Sequence, residues 1–112
     1  METIRKNQTK KIKNNNNCLA IEYPLKNKKI SGAIIKLNGR YPNEGRICNL
    51  KCSELFYVID GSGFIGIEGK KNKISKGDLI FIELKEKYFW KGKMEMFVAS
   101  VPAWNLKQQK RA

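Results

Sequence analysis

Residues 53–63 read SELFYVIDGSG, and this stretch decides the fold. Its first eight residues are mainly aliphatic and aromatic, and they end at Asp60 before Gly61 and Gly63, which is typical of a β strand that runs into a turn. Successive side chains of a strand point to opposite faces. One face carries Glu54, Phe56 and Val58, and the other carries Leu55, Tyr57 and Ile59. Both faces are therefore largely apolar.

A strand that is apolar on both faces must have each face packed against other protein groups. In a lone small barrel the outer face of the sheet should be polar, so this pattern indicates that a second sheet or another subunit covers it. Two-fold contacts between identical chains are the commonest solution. We therefore expect a homodimer.

Similar short runs lie on both sides of this strand. They are residues 18–23, 30–39, 46–50, 64–69, 73–76, 78–84, 87–92 and 94–101. Turn-forming or polar residues separate them, and none shows the sustained stripe of an amphipathic helix. Strands at this spacing predict an all-β sandwich or barrel. A chain of 112 residues suffices for one core, which we place in residues 18–112.

Residues 1–17 read METIRKNQTKKIKNNNN and differ in composition from the rest. They contain no aromatic residue and almost no apolar periodicity, so they cannot bury enough surface to offset the entropy lost on ordering. The composition predicts a disordered basic tail. A basic arm that contacts an anionic partner is the alternative.

The formal net charge of +13 raises the possibility of a polyanionic partner. Lysine far outnumbers arginine, however, whereas phosphate and base recognition favours the planar guanidinium group. The basic residues are also scattered along the whole chain. These observations favour a solvated basic surface that binds nucleic acid only non-specifically, through its charge.

The counts of cysteine and histidine exclude several kinds of chemistry. Three cysteines (Cys18, Cys48 and Cys52) without a signal-peptide pattern argue against a secreted disulfide framework, so we expect buried, reduced thiols in a cytoplasmic protein. No apolar run is long enough to span a membrane. The chain has no histidine, which excludes Ser-His-Asp and Cys-His catalysis and every metal site built on histidine.

An ordered set of short motifs runs through the middle of the chain. The pattern E–x–x–Y–V–x–x–G–x–G is met by Glu54, Tyr57, Val58, Gly61 and Gly63, and a strand LIFI follows Gly77 and Asp78. Over about residues 30–108, this set resembles the cupin superfamily. The resemblance implies a double-stranded β-helix, or jelly-roll, barrel that holds a ligand site in its lumen.

The histidines of metal-binding cupins are missing from this chain. The two that precede the motif glutamate would fall between Ile47 and Leu50, and the histidine of the second motif would fall near Tyr88. Only the glutamate position, Glu54, keeps its residue type. Because a lone carboxylate does not make a tight site for a transition metal, we expect no metal and no other cofactor.

Glu54 is the candidate residue that carries most of the chemistry, because a carboxylate in an apolar lumen must be paired, protonated or solvated. We expect Arg46 and Tyr88 to be its partners. Aromatic rings with polar tips suit a pocket for sugars and other small organic molecules, although such rings are also ordinary core residues in a small β domain. The candidate ligand-binding residues are Tyr41, Arg46, Asn49, Glu54, Phe56, Tyr88 and Trp90.

Three functions are compatible with these residues. The first is a metal-independent protein that binds a small polar, sugar-like molecule in its barrel. The second is a metal-free isomerase or epimerase in which Glu54 and Tyr88 transfer protons. The third is a dimeric interaction module with a basic surface. A fold that hosts many functions does not choose among them.

Overall fold

The computed structural model describes residues 1–112 and confirms an all-β architecture. The nine strands are β1 (Lys10–Asn15), β2 (Cys18–Tyr23), β3 (Ser31–Tyr41), β4 (Ile47–Asn49), β5 (Ser53–Ile67), β6 (Lys70–Ser75), β7 (Leu79–Ile82), β8 (Tyr88–Val101) and β9 (Gln109–Arg111). The only helices are single 3₁₀ turns at Lys6–Gln8 and Leu106–Gln108. None of the helices has the length and apolar content needed to cross a membrane.

All nine strands join one curled antiparallel sheet, with two long strands at its centre. β8 pairs with β3 from Ser31–Ser100 to Tyr41–Trp90, and with β5 along nearly its whole length. β5 pairs on its other side with β7 in its first half and with β6 in its second half. β1 and β2 extend the sheet beyond β3, and β4 lies between β8 and β9. This arrangement curls the sheet around one apolar interior.

Glycines allow β5 and β8 to approach each other closely at the middle of the curl. Gly63 lies opposite Gly92 in the register of the two strands. A Cβ atom on Gly92, whose φ is 145°, would lie 2.5 Å from the Gly63 Cα. Only residues without a side chain fit such a crossing. The turn expected after Asp60 is therefore absent, because β5 continues through Gly61 and Gly63 to Ile67. These glycines instead let β5 pass close to β8.

The core lies on the concave side of the sheet. Its largest contributions come from inward-facing residues of β5 and β8, which alternate with outward-facing ones. They are Phe56, Val58, Ile65, Tyr88, Trp90, Met94, Met96 and Val98. The opposite set on β5, Leu55 and Tyr57, is exposed, so no second sheet of the same chain covers the outer face.

The N-terminal segment differs from the disordered tail that its composition predicts. Lys10–Asn15 forms β1, an edge strand whose backbone pairs with β2 from Lys10–Glu22 to Asn15–Cys18. Ahead of it, the Glu2 carboxylate accepts backbone hydrogen bonds from Lys26 at 2.6 Å and from Asn27 at 3.0 Å. These bonds hold the pKa of Glu2 below its usual value.

The asparagine run orders the next few residues by hydrogen bonding. The Asn15 and Asn17 side-chain amides both donate to the Arg40 carbonyl oxygen, at 3.0 and 3.1 Å. The Asn38 amide donates to the Asn17 carbonyl oxygen at 2.7 Å. The composition of residues 1–17 indicates only how much apolar surface they can bury. It does not predict their order, because hydrogen bonds to the existing sheet hold them in place.

This difference predicts the tryptic cleavage pattern of the native protein. Trypsin should cut rapidly after Arg5 and Lys6 but slowly after Lys10, Lys11 and Lys13, because a protease needs an extended segment that is free of strand pairing. Mass spectrometry of a cleavage time course measures this. Equally fast cleavage at all five sites would mean that β1 is not paired with β2 in solution.

Candidate functional site

A cavity of about 570 Å³ opens into the barrel on its concave side. Its wall is aromatic and aliphatic, and includes Tyr41, Phe56, Trp90 and Val98. The Phe56 and Trp90 rings pack edge to face with their centroids 4.8 Å apart, and the Tyr88 ring lies 6.0 Å from that of Trp90. The cavity falls within the size range of small-molecule sites.

The floor of the cavity is a buried carboxyl group held by three neutral donors. Asn49 Nδ2 donates to Glu54 Oε1 at 2.6 Å, and the Tyr88 hydroxyl donates to the same oxygen at 3.1 Å. The Ser100 hydroxyl donates to Oε2 at 3.2 Å. None of the three partners carries a positive charge, so hydrogen bonds alone offset the desolvation of this carboxyl group.

The hydrogen bonds at the floor are possible only because the long strand β8 is bent. Tyr88 is the first residue of β8 and Ser100 is its penultimate one, and an extended strand would separate them by about 40 Å. Both side chains nevertheless bond to Glu54. The curl that passes through the Gly63–Gly92 crossing is what brings the two ends together.

Behind Glu54, a chain of amides fixes which atom each side chain presents. The Lys51 backbone amide donates to Gln108 Oε1 at 3.3 Å, and Gln108 Nε2 donates to Asn49 Oδ1 at 2.9 Å. Asn49 must therefore direct its NH₂ group toward Glu54. The orientation of this donor is set by the C-terminal segment, which Gln108 anchors in the interior.

Burial dominates the electrostatics of the floor. Desolvation raises the pKa of Glu54 above its usual value, although the bonds from Asn49, Tyr88 and Ser100 partly oppose it. Burial, together with the nearby Glu54 carboxylate, raises the pKa of Tyr88 well above that of a free phenol. A carboxyl group that gains a proton more readily than usual is thus in contact with a phenol that retains its own.

The aromatic wall contains one further polar group, the hydroxyl of Tyr41. The Tyr41 hydroxyl donates to Gln109 Oε1 at 2.9 Å, and burial raises the pKa of Tyr41 to about 12. Tyr41 therefore stays neutral near pH 7. Gln109 belongs to β9, so the C-terminal segment holds this wall residue as well as the floor.

The mouth of the cavity is formed by two chain segments that bond to each other. The Trp104 amide donates to Ser31 Oγ at 3.0 Å, and the Ala103 amide donates to the Lys28 carbonyl oxygen at 3.0 Å. Glu22 also lines the cavity, and burial raises its pKa, opposed by the charge of Lys10 on the adjacent strand. The cavity thus has lysines at its mouth, neutral aromatic side chains along its wall and a carboxyl group at its floor.

Most of the predicted site residues lie together in the structure. Tyr41, Glu54, Phe56, Tyr88 and Trp90 line the cavity, and Asn49 contacts Glu54 from behind. The expected contact between Tyr88 and Glu54 is present.

Arg46 is the exception, because it does not bond to Glu54. It lies in a separate groove of about 280 Å³ that also contains Glu68 and Glu86. Arg46 precedes β4, where its carbonyl oxygen accepts a bond from the Ala112 amide. The neutral amide of Asn49, on the buried strand β4, bonds to Glu54 where the sequence suggested a cation.

The sequence did not place Ser100 or Gln108 in the site, although Trp104 belongs to the aromatic residues that could line a pocket. Ser100 had a usable signal, because it is the one polar member of the inward series that begins with Met94, Met96 and Val98. Gln108 and Trp104 follow the last long strand, and no periodicity reports where such a segment folds back.

The three cysteines are free and buried, as expected. Burial raises the pKa of Cys18, and burial together with the Glu54 charge raises the pKa of Cys52 to about 12. Both groups are therefore neutral thiols near pH 7, which are poor nucleophiles and poor metal ligands.

The donor set around Glu54 does not fit a metal ion. Three hydrogen-bond donors contact the carboxyl oxygens, and no group of three His, Cys, Asp or Glu side chains in the protein lies close enough together to hold a metal. An amide nitrogen and two hydroxyl protons directed at a carboxylate repel a cation at that position.

Comparison with known proteins shows the fold. No protein-family model matches the chain, and no curated protein matches its sequence. Solved structures do match. Pac13 from Streptomyces, a nucleoside dehydratase, is 16% identical and superimposes with a TM-score of 0.88 over 100% of this chain and 91% of that chain; a variant of it has been solved with uridine at the same identity, coverage and TM-score.

Two further structures extend the comparison. An RmlC-like cupin from Shewanella frigidimarina has a TM-score of 0.72 and 16% identity over 92% of this chain and 93% of that chain. EutQ from Clostridium difficile has a TM-score of 0.67 and 22% identity over 81% of this chain and 69% of that chain. The chain therefore has the cupin fold that its motifs resemble.

The raised pKa of Glu54 predicts a specific loss of stability with pH. The native state holds the Glu54 proton more tightly than the unfolded state, so this contribution is complete below about pH 4.5 and is lost as the pH rises through the native pKa. Glu54→Gln keeps an oxygen for Asn49 and Tyr88 and an NH₂ group for Ser100, but it does not titrate. The free energy of unfolding of the wild type should therefore fall relative to Glu54→Gln between pH 4.5 and 8, by up to about 1.4 kcal/mol per pH unit within the titration.

Urea unfolding of both proteins across this pH range measures the difference. Glu22 is present in both, so its contribution cancels. Glu44→Gln, which alters an exposed carboxylate, is the matched control and should follow the wild-type curve. Parallel curves for wild type and Glu54→Gln would contradict a raised pKa at Glu54.

Proposed function

We propose that the protein binds a small polar molecule of nucleoside size in its barrel cavity without the help of a metal. The observation that carries this proposal is the combination of an aromatic wall and a single hydrogen-bonded acid at the floor of a cavity of about 570 Å³. A flat ring fits the wall, and hydroxyl groups fit the floor.

The floor has hydrogen-bonding capacity to spare. A carboxylate accepts about four hydrogen bonds, whereas Glu54 accepts two on Oε1 and only one on Oε2. Oε2 can therefore accept a ligand hydroxyl group beside Ser100. A sugar or ribose hydroxyl is a donor of suitable size.

The wall supplies the second half of the recognition. Phe56 and Trp90 are packed against each other, so binding a ring beside them costs little conformational entropy. Stacking of a base on an aromatic side chain contributes about 1–3 kcal/mol. The whole-length similarity to a nucleoside dehydratase that has been solved with uridine supports the same class of ligand.

Both tryptophans line the cavity, so the proposal can be tested without a label. Titration with uridine should change the tryptophan fluorescence saturably, and Glu54→Gln should weaken binding by about tenfold or more, because hydrogen bonds to a charged group are worth about 1.5–3 kcal/mol. Uracil and ribose, titrated separately, divide the affinity between ring and sugar.

Glu95→Gln is the matched control, because Glu95 lies on the opposite face of β8. It should bind uridine as the wild type does. No saturable change with uridine, uracil or ribose, or equal weakening by both substitutions, would count against the proposal.

A metal-free enzyme is the second candidate, and a specific contact favours it. Glu54, whose pKa is raised, bonds directly to Tyr88 at 3.1 Å. In an isomerisation, an epimerisation or an elimination of water, the Glu54 carboxylate would remove a proton from a carbon next to a carbonyl group. Tyr88 or the protonated Glu54 would then donate a proton to the product carbon or to the departing hydroxyl group.

Proton exchange with solvent tests this candidate directly. In D₂O, incubation with sugars that carry a free carbonyl group should place deuterium on the adjacent carbon, as detected by NMR. Glu54→Gln and Tyr88→Phe should each slow this exchange by about 10²- to 10⁴-fold. Absence of exchange in the wild type, in a sample that binds the same sugar, would leave binding as the function.

The remaining sequence-based expectations stay proposals. They are a homodimer, a cytoplasmic location, non-specific attraction of nucleic acid to a net charge of +13, and independence from metals and cofactors.

A further inference from the structure

The outer face of the sheet carries an exposed apolar patch. We define the outer patch as the outward-facing large residues of β5, β7 and β8, which are Leu55, Tyr57, Leu79, Phe81, Phe97 and Val101. Their exposed fractions run from 40% for Leu55 to 64% for Leu79. We infer that the outer patch is the interface with a second copy of this chain, independently of which ligand the barrel binds.

The strand register makes the patch continuous. One row crosses the sheet from Leu79 through Tyr57 and Phe97 to Ile34, and each residue lies directly opposite the next. A second row runs from Phe81 through Leu55 to Ala99 in the same way. Side chains opposite each other on one face are in contact range. The patch is therefore one surface and not a scatter of single side chains.

The area of the patch approaches what a stable dimer needs. With about 200 Å² for a fully exposed large apolar side chain, the six residues expose about 600 Å². The largest apolar patch on an ordinary monomer is about 300–600 Å², whereas a standard interface buries about 800 Å² on each partner. A contact of standard size would therefore also bury small and polar residues that flank the patch.

The shape of the patch suits a second copy in particular. At one end, Leu79 and Phe81 project from the edge strand β7. At the other end lies an apolar groove of about 320 Å³, which is lined by Ile4, Tyr23, Leu25, Gly32, Ile34 and Phe97. A two-fold axis along the strands, through the middle of the patch, would place the β7 projection of each copy over the groove of the other. Such a reciprocal contact closes at two subunits.

The protection of the sheet edges points to the same region. The edge strands β1 and β6 carry lysines, as in KKIK (10–13) and KKNK (70–73), and lysine prevents edge-to-edge pairing. β7 is also an edge strand, but it reads LIFI and carries no charge. An unprotected apolar edge beside an apolar face is expected where another molecule covers both.

The charge distribution permits two basic chains to meet here. Although the net charge is +13, four of the ten acidic residues border the patch in the sequence of β5, β7 and β8, namely Asp60, Asp78, Glu83 and Glu95. The rim is thus mixed in sign, and the patch itself is uncharged. A contact through the patch therefore places no like charges directly against each other.

Sedimentation equilibrium of the full chain tests the inference. The wild type should be a dimer at micromolar concentration. The double variant Leu79→Lys, Phe81→Lys should be a monomer, with the dissociation constant raised by about 100-fold or more, because each lysine would be buried without a partner. Leu106→Lys is the control, since it adds a charge at an exposed apolar residue outside the patch and should stay dimeric.

Disulfide trapping tests the arrangement of the two copies. Leu25 lines the groove beyond one end of the patch and Leu79 lies at the other end, so a chain with Leu25→Cys and Leu79→Cys cannot join them internally. Mild oxidation should give a covalent dimer on a non-reducing gel, whereas each single variant should not. Circular dichroism checks that every variant is folded.

Each outcome decides the inference. A dimeric wild type, a monomeric lysine variant and a trapped covalent dimer support it. A monomeric wild type, a dimer that survives both lysines, or a wild-type dimer that the paired cysteines do not trap would overturn it.

Discussion

A single buried carboxyl group sets the geometry of this barrel. Glu54 has no cation beside it, so it is tolerable in the interior only while Asn49, Tyr88 and Ser100 all donate to it. Tyr88 and Ser100 come from the two ends of one strand, and Asn49 is oriented by a glutamine near the end of the chain. The hydrogen bonds around this one side chain therefore connect β4, β5, β8 and the C-terminal segment around the cavity.

The sequence predicted the features that depend on local alternation. The strand pattern of SELFYVID placed Glu54 and Phe56 on one face and Tyr57 on the other, and the glutamate motif led to the contact with Tyr88. The partner of a buried charge is a different problem, because it depends on which distant segment folds back. Arg46 was the expected partner, but it lies in a separate groove. The neutral amide of Asn49 bonds to Glu54 instead, and Gln108 orients that amide. The N-terminal strand was missed for a related reason, since its order comes from polar bonds to β2 and not from apolar burial.

The absence of histidine changes the character of the barrel interior. Where the resembled family places a cation among imidazoles, this chain places a carboxyl group among amide and hydroxyl donors. Such a floor offers hydrogen bonding and proton transfer at one point, against a wall of rings that offers packing. That pairing is the basis of the proposal that the barrel binds a hydroxylated ring compound.

The dependence of the floor on Gln108 also affects how fast the protein can fold. Glu54 and Ser100 are 46 positions apart, and Asn49 and Gln108 are 59 apart, so the interior is completed by contacts between remote parts of the chain. Contacts of this kind form slowly, because the loops that they close must be ordered first. A chain whose synthesis stops short of Gln108 contains all three donors to Glu54, but nothing then holds the Asn49 amide with its NH₂ group toward the carboxyl group. Such fragments should be recognised as unfinished by chaperones and proteases.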